Sequence, residues 1–211
     1  MNEWAYLFKI GIALFAIVNP VGGVPVFITA THGCSAAARA HTARTIMFAV
    51  FTVLVLAVFV GDQMLAFFGI SIQSFQVGGG ILLLMMAISM MHGKQSGARQ
   101  TEEEAEAVAE REAVAIVPIS IPLLAGPGAI SSMIIAAEQS GSLWGHVLLV
   151  GPVAVVSLLV WMILRLSVPI ASRLGTIGIN VVTRLMGLIL SAMAIEFMAR
   201  GLGGLFPGLL S

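Results

Sequence analysis

Two stretches of this chain set helix-breaking residues inside segments long enough to cross a bilayer. They read Asn19-Pro20-Val21-Gly22-Gly23-Val24-Pro25 and Leu124-Ala125-Gly126-Pro127-Gly128-Ala129-Ile130. Pro20 lacks a backbone donor and clashes with the turn before it. It also pushes Asn19 out of the α region. Gly22 and Gly23 accept irregular backbone. The chemistry on offer is that of the backbone itself. A new half-helix starts with unpaired N–H groups and the positive end of its dipole, which suits a carboxylate. Pro25 and Pro127 fit the first helical position, where a lost donor is not missed. The expected donors lie at Val24, Val26 and Phe27 in the first break and at Gly128, Ala129 and Ile130 in the second. Carbonyls left behind at Val18, Asn19, Leu124 and Ala125 suit an ammonium group or a cation. One gap therefore serves both ends of a small zwitterion. The candidate binding residues are Asn19, Pro20, Gly22, Gly23, Gly126, Pro127, Gly128, Ala129, Ile130 and Ser131. The competing reading makes both breaks plain kinks satisfied by neighbouring helices.

Single residues carry the same tension. Asn19 caps its own break or touches a substrate. Ser131 and Ser132 bond their own backbone or line the site. Glu196 and Arg200 form an ordinary i,i+4 surface pair, or Glu196 carries a proton. Gln73 and Asn180 sit near span starts, where solvation explains them. The methionines read as packing, and Gly78-Gly79-Gly80 as a place where helices approach closely.

These motifs need a frame, and the composition supplies one. The 211 residues are 59% hydrophobic and 9% charged, with a mean hydropathy of +1.05. A soluble domain is about one-quarter charged, so this chain belongs in lipid. Ten basic residues balance ten acidic ones, which leaves no basic patch for nucleic acid. Cys34 stands alone, so neither an internal disulfide nor a cysteine metal cluster is expected, and nothing calls for a cofactor. Met1-Asn2-Glu3-Trp4 lacks the basic start of a signal peptide and reads as the start of a first span.

Six spans are expected: 5–31, 42–60, 72–91, 113–137, 146–168 and 177–199. Gly61-Asp62-Gln63 should end the second, with a short interfacial helix at 64–69. The loop after the first holds His32, Cys34, Arg39 and His41. Loops are expected at 138–145 and 173–176, and Gly201, Gly203, Gly204 and Pro207 read as a loose tail. Residues 94–112 form a polar, glutamate-rich helical linker opening on a Thr101–Glu104 capping box. Basic residues cluster on the side of Arg39, Arg44, Lys94, Arg99, Arg111, Arg165, Arg173 and Arg184. That places the linker in the cytoplasm and both termini outside.

Sliding the chain on itself by 107 positions aligns Pro20 with Pro127, Gly80 with Gly187, Ile28 with Ile135, and Met86-Ala87-Ile88 with Met193-Ala194-Ile195. The reading is an all-α membrane protein of six transmembrane helices. Residues 1–93 and 113–211 form two three-helix repeats, and the first helix of each is broken. Three spans is an odd number, so the second repeat is inverted. Both breaks then face one another near the midplane.

The two break motifs, with Phe68-Gly69-Ile70-Ser71 leading to Gly78-Gly79-Gly80, resemble the MarC family of bacterial inner-membrane proteins over essentially the whole chain. The resemblance implies six helices in two inverted halves. For some members it implies uptake of small neutral amino acids such as glycine and alanine, dependent on the proton gradient. The leading expectation is thus a secondary transporter in a bacterial inner membrane, with a small neutral amino acid and the lipid bilayer as partners and room for a homo-oligomer. The alternative is a passive channel or facilitator for small polar solutes. An enzyme is not expected, because His32, His41, His92 and His146 lie at span ends or in loops, away from any nucleophile motif.

Overall fold

In hydrocarbon a chain must satisfy its own backbone, and a helix does so within one segment. The computed structural model describes residues 3–92 and 125–207, and every regular element among them is helical. In chain order these are α1 (Glu3–Val18), α2 (Val24–Ala30), α3 (Ala36–Phe67), α4 (Ile72–Met91), α5 (Pro127–Ser140), α6 (Leu143–Arg165) and α7 (Ser167–Leu205). Four stretches are long and apolar enough to cross a membrane: Ala36–Phe67, Ile72–Met91, Leu143–Arg165 and Ile177–Leu205. α1 and α2, with the break between them, cover the residues expected in the first span. α5 covers residues expected in the later part of the fourth. The linker 94–112, its capping box and residues 113–124 lie outside the described residues.

Serine caps set several boundaries. Ser35, Ser71 and Ser142 each accept a hydrogen bond from the backbone N–H three residues on, opening α3, α4 and α6. α4 has the bounds expected from the sequence, and His92 follows it as its C-cap.

Several boundary expectations are corrected. Gly61-Asp62-Gln63 does not end α3, which runs on to Phe67 and absorbs residues 64–67. Gly61 sits where a Cβ would overlap the Ile134 side chain of α5, so glycine serves close packing there. Asp62 faces His146 of α6 at 4.0 Å. Arg39 and His41, expected in a loop, belong to α3. Gly201, Gly203 and Gly204 are not a loose tail, because α7 continues to Leu205. A Cβ on Gly201 would stand 2.7 Å from the Gln73 carbonyl oxygen, so the glycines let α7 settle on the start of α4. The loops at 138–145 and 173–176 also shrink. Only Gly141 and Ser142 separate α5 from α6, and α7 is a kinked helix with Gly175 at φ 61°.

The helices pair selectively. α4 lies along α7, α3 against α6 and α5, and α1 against α6. Leu54, Val58, Leu83, Ala87, Val153, Val160, Leu190 and Ala194 are fully enclosed in the resulting core. At the α4–α7 seam the contacts are reciprocal. A Cβ on Gly80 would meet the Ala194 carbonyl oxygen at 2.9 Å and Met198 Cγ at 2.6 Å. A Cβ on Gly187 would meet the Ala87 carbonyl oxygen at 3.0 Å and Met91 Cγ at 3.3 Å.

Candidate functional site

The first break follows from Asn19. This residue has φ 44°, the left-handed region that asparagine tolerates better than other side-chain-bearing residues. That turn of the backbone ends α1 at Val18. Asn19 is 2% exposed, yet its amide is occupied. Its Oδ1 accepts from the Gly22 N–H at 3.2 Å, and its Nδ2 donates weakly to Met90 Sδ at 3.8 Å. A Cβ on Gly22 would overlap the Asn19 side chain, so this cap requires glycine at position 22. α2 then restarts at Val24 with Pro25 in its first turn. Of the two roles open to Asn19, the structure records the cap.

The second break is built differently. Gly126 is extended, at φ −64° and ψ 172°, and caps α5 without a side-chain bond. Pro127 is the first residue of α5. Ala129 and Ile130 donate to the Gly126 carbonyl at 2.9 and 3.2 Å, so these two expected donors are consumed by the helix itself.

The first break consumes donors in the same way. Val24 N–H goes to the Val21 carbonyl, Phe27 N–H to the Gly23 carbonyl, and the Asn19 carbonyl accepts from Gly23. Among the described residues, the backbone bonds leave Val26 as an unspent expected donor and Val18 and Ala125 as unspent expected acceptors. The set is sparser than the sequence suggests.

The breaks are neighbours. A Cβ on Gly128 would stand 3.5 Å from Ile17 Cγ2, just before the first break, and 2.5 Å from Leu83 Cδ2. α4 underlies both of them. Met90 touches Asn19, Leu83 touches Gly128, and Gly79 lies where a Cβ would come 2.9 Å from Ser131 Cβ. Gly23, Gly126, Gly128, Ala129 and Ser131 are buried with Asn19, while Gly22 and Ile130 are half-buried. Pro20 is buried beside them. Ile17, Leu83 and Met90 escape a sequence reading, since buried apolar residues on an all-apolar helix carry no signal of their own.

The model of the MarC family integral membrane proteins matches residues 4–206. The UPF0056 membrane protein YhcE of Escherichia coli (strain K12) is 44% identical over 212 residues, covering 99% of this chain and 97% of YhcE. YvbG of Bacillus subtilis (strain 168) is 35% identical over 212 residues, 99% of each chain. A UPF0056 membrane protein of Methanocaldococcus jannaschii is 36% identical over 193 residues, 91% of this chain and 93% of that one. No solved structure matches. Apolar helices of spanning length and a family match over residues 4–206 agree, and the chain belongs to the MarC family of integral membrane proteins.

Proposed function

We propose that this protein is a secondary transporter of small neutral amino acids, working by alternating access around its two paired breaks. The observation that carries the reading is the meeting of Ile17 and Gly128, which brings the buried first break against the buried start of α5. Helices broken at membrane depth, with unspent backbone donors and acceptors, are the usual substrate sites of transporters built from inverted repeats. Val26 would donate to a carboxylate, and Val18 and Ala125 would accept from an ammonium. Glycines at the site leave room only for a small side chain.

The inverted repeat draws support from the α4–α7 seam. Under the 107-residue shift, Gly80 against Ala194 and Met198 becomes Gly187 against Ala87 and Met91, the contact seen from the other side. Such reciprocity is what a two-fold axis between the halves requires. The basic residues favour an inner membrane with both termini outside and the linker within.

The test is uptake of labelled glycine or alanine by proteoliposomes holding the full chain, with and without an imposed pH gradient. Accumulation above the external concentration, driven by the gradient, is expected. Equilibration alone would make the protein a facilitator, and no flux would remove the reading.

A further inference from the structure

A cleft of about 570 Å³ runs between α1, α5 and α7. It opens on the face that carries the start of α1 and the end of α7. Lys9, Glu196 and Arg200 line it there, and the Glu196 and Arg200 side chains are 59% and 54% exposed. Leu14 and Ser132 line its inner part, and Leu14 is 1% exposed. Leu14 precedes Ile17 by one helical turn, and Ser132 follows Gly128 by one turn. The cleft therefore ends one turn short of the point where the breaks meet.

Two features mark it as more than a gap in the helix bundle. The Ser132 Oγ is buried and has no hydrogen-bond partner, which a folded protein seldom leaves uncorrected. The charges are also not repeated by the sequence. Under the 107-residue shift Lys9 falls on Ile116, Glu196 on Ser89 and Arg200 on Gly93. A scaffold repeated for stability alone would not need charge at these positions in one copy and none at their counterparts. Arg200 Nε donates to Glu196 Oε1 at 2.8 Å and so holds that carboxylate in place.

We propose that this cleft is a separate binding site that receives the zwitterion before it reaches the breaks. Glu196 takes the ammonium, Lys9 takes the carboxylate, and the Ser132 hydroxyl is the last polar contact on the inward path. The proposal rests on the transport reading above and adds a one-sided loading station to it.

The test uses the full chain with C34S, to remove its lone cysteine, and S132C as the reporter. A136C, one turn nearer the mouth on the same wall, is a second reporter should S132C misfold. Modification by a water-soluble methanethiosulfonate is timed in phosphatidylcholine liposomes with and without glycine. At glycine near ten times its Kd the free fraction falls about tenfold, and the labelling rate should fall with it. K9Q and E196Q should each abolish most of that protection. Several results overturn the proposal: no labelling at either reporter, equal rates with and without glycine, or protection unchanged in both charge variants. Protection that instead follows phosphatidylethanolamine in the bilayer assigns the cleft to a lipid headgroup and also overturns it. Glycine uptake by the C34S parent is measured alongside. Uptake without protection removes only the cleft, and loss of both removes the transport reading with it.

Discussion

The two motifs open their half-helices by unlike means. At the first, a side chain does the work: Asn19 adopts a left-handed backbone and fills the Gly22 donor with its own amide oxygen. At the second, no side chain caps the helix. Gly126 lies in a backbone region open to any residue, and the restart depends on a proline and on close contact with Leu83 and Ile17. The first break is self-contained, while the second is held by its neighbours. A closed local cap resists rearrangement, whereas a helix start held by apolar contacts from α1 and α4 can be released by moving those helices. In a working cycle the second break is therefore the better candidate for the moving part and the first for the fixed one.

The sharpest way to break this contrast is at Gly128. Gly128→Leu places carbon where Leu83 already sits and should abolish glycine uptake while membrane insertion persists. Truncating the neighbour as well, in Gly128→Leu/Leu83→Ala, should restore part of it. Normal uptake by Gly128→Leu would take this position out of the site. Next comes the α4–α7 seam. Gly80→Ala and Gly187→Ala each overpack it, by about 1–3 kcal/mol. Gly80→Ala should lower the melting temperature in detergent more, because its closest approaches of 2.6 and 2.9 Å are tighter than the 3.0 Å at Gly187. At the first break, Asn19→Ala loses the cap and must hold a left-handed backbone, together costing about 1.5–4 kcal/mol. Asn19→Gly keeps the backbone and should lose less. Equal melting temperatures for the two variants would mean that the backbone conformation at position 19 carries no strain. The smallest effect is expected at Glu196→Gln, where an exposed pair contributes no more than about 0.5 kcal/mol to stability. That leaves any effect on glycine protection attributable to binding.

The first break was legible because asparagine, proline and paired glycines inside an apolar run have few structural meanings, and the reciprocal glycines because they recur at the 107-residue spacing. α4 was legible to the residue because Ser71 and His92 bracket a run that holds no proline and no charged residue. The ends of α3 and α7 were not, and for one reason. Glycines at 61, 201 and 204 read as helix enders when taken locally, but each accommodates a residue distant in sequence, Ile134 or Gln73. Close approach and helix termination use the same residue type, and only the partner tells them apart. The donors at Val24, Phe27, Ala129 and Ile130 were overcounted because short-range bonds back to Val21, Gly23 and Gly126 tighten the first turn of each half-helix.

The reciprocal glycine contacts of α4 and α7 carry a mechanical implication. Where a peptide carbonyl and the stem of a methionine together occupy the space a side chain would fill, two helices mesh closely, with little slack for a slide. Such a seam is stiff, and it should behave as a keel. If so, hydrogen exchange measured during glycine turnover should leave the amides near Gly80 and Gly187 protected while those of α2 and α5 open and close.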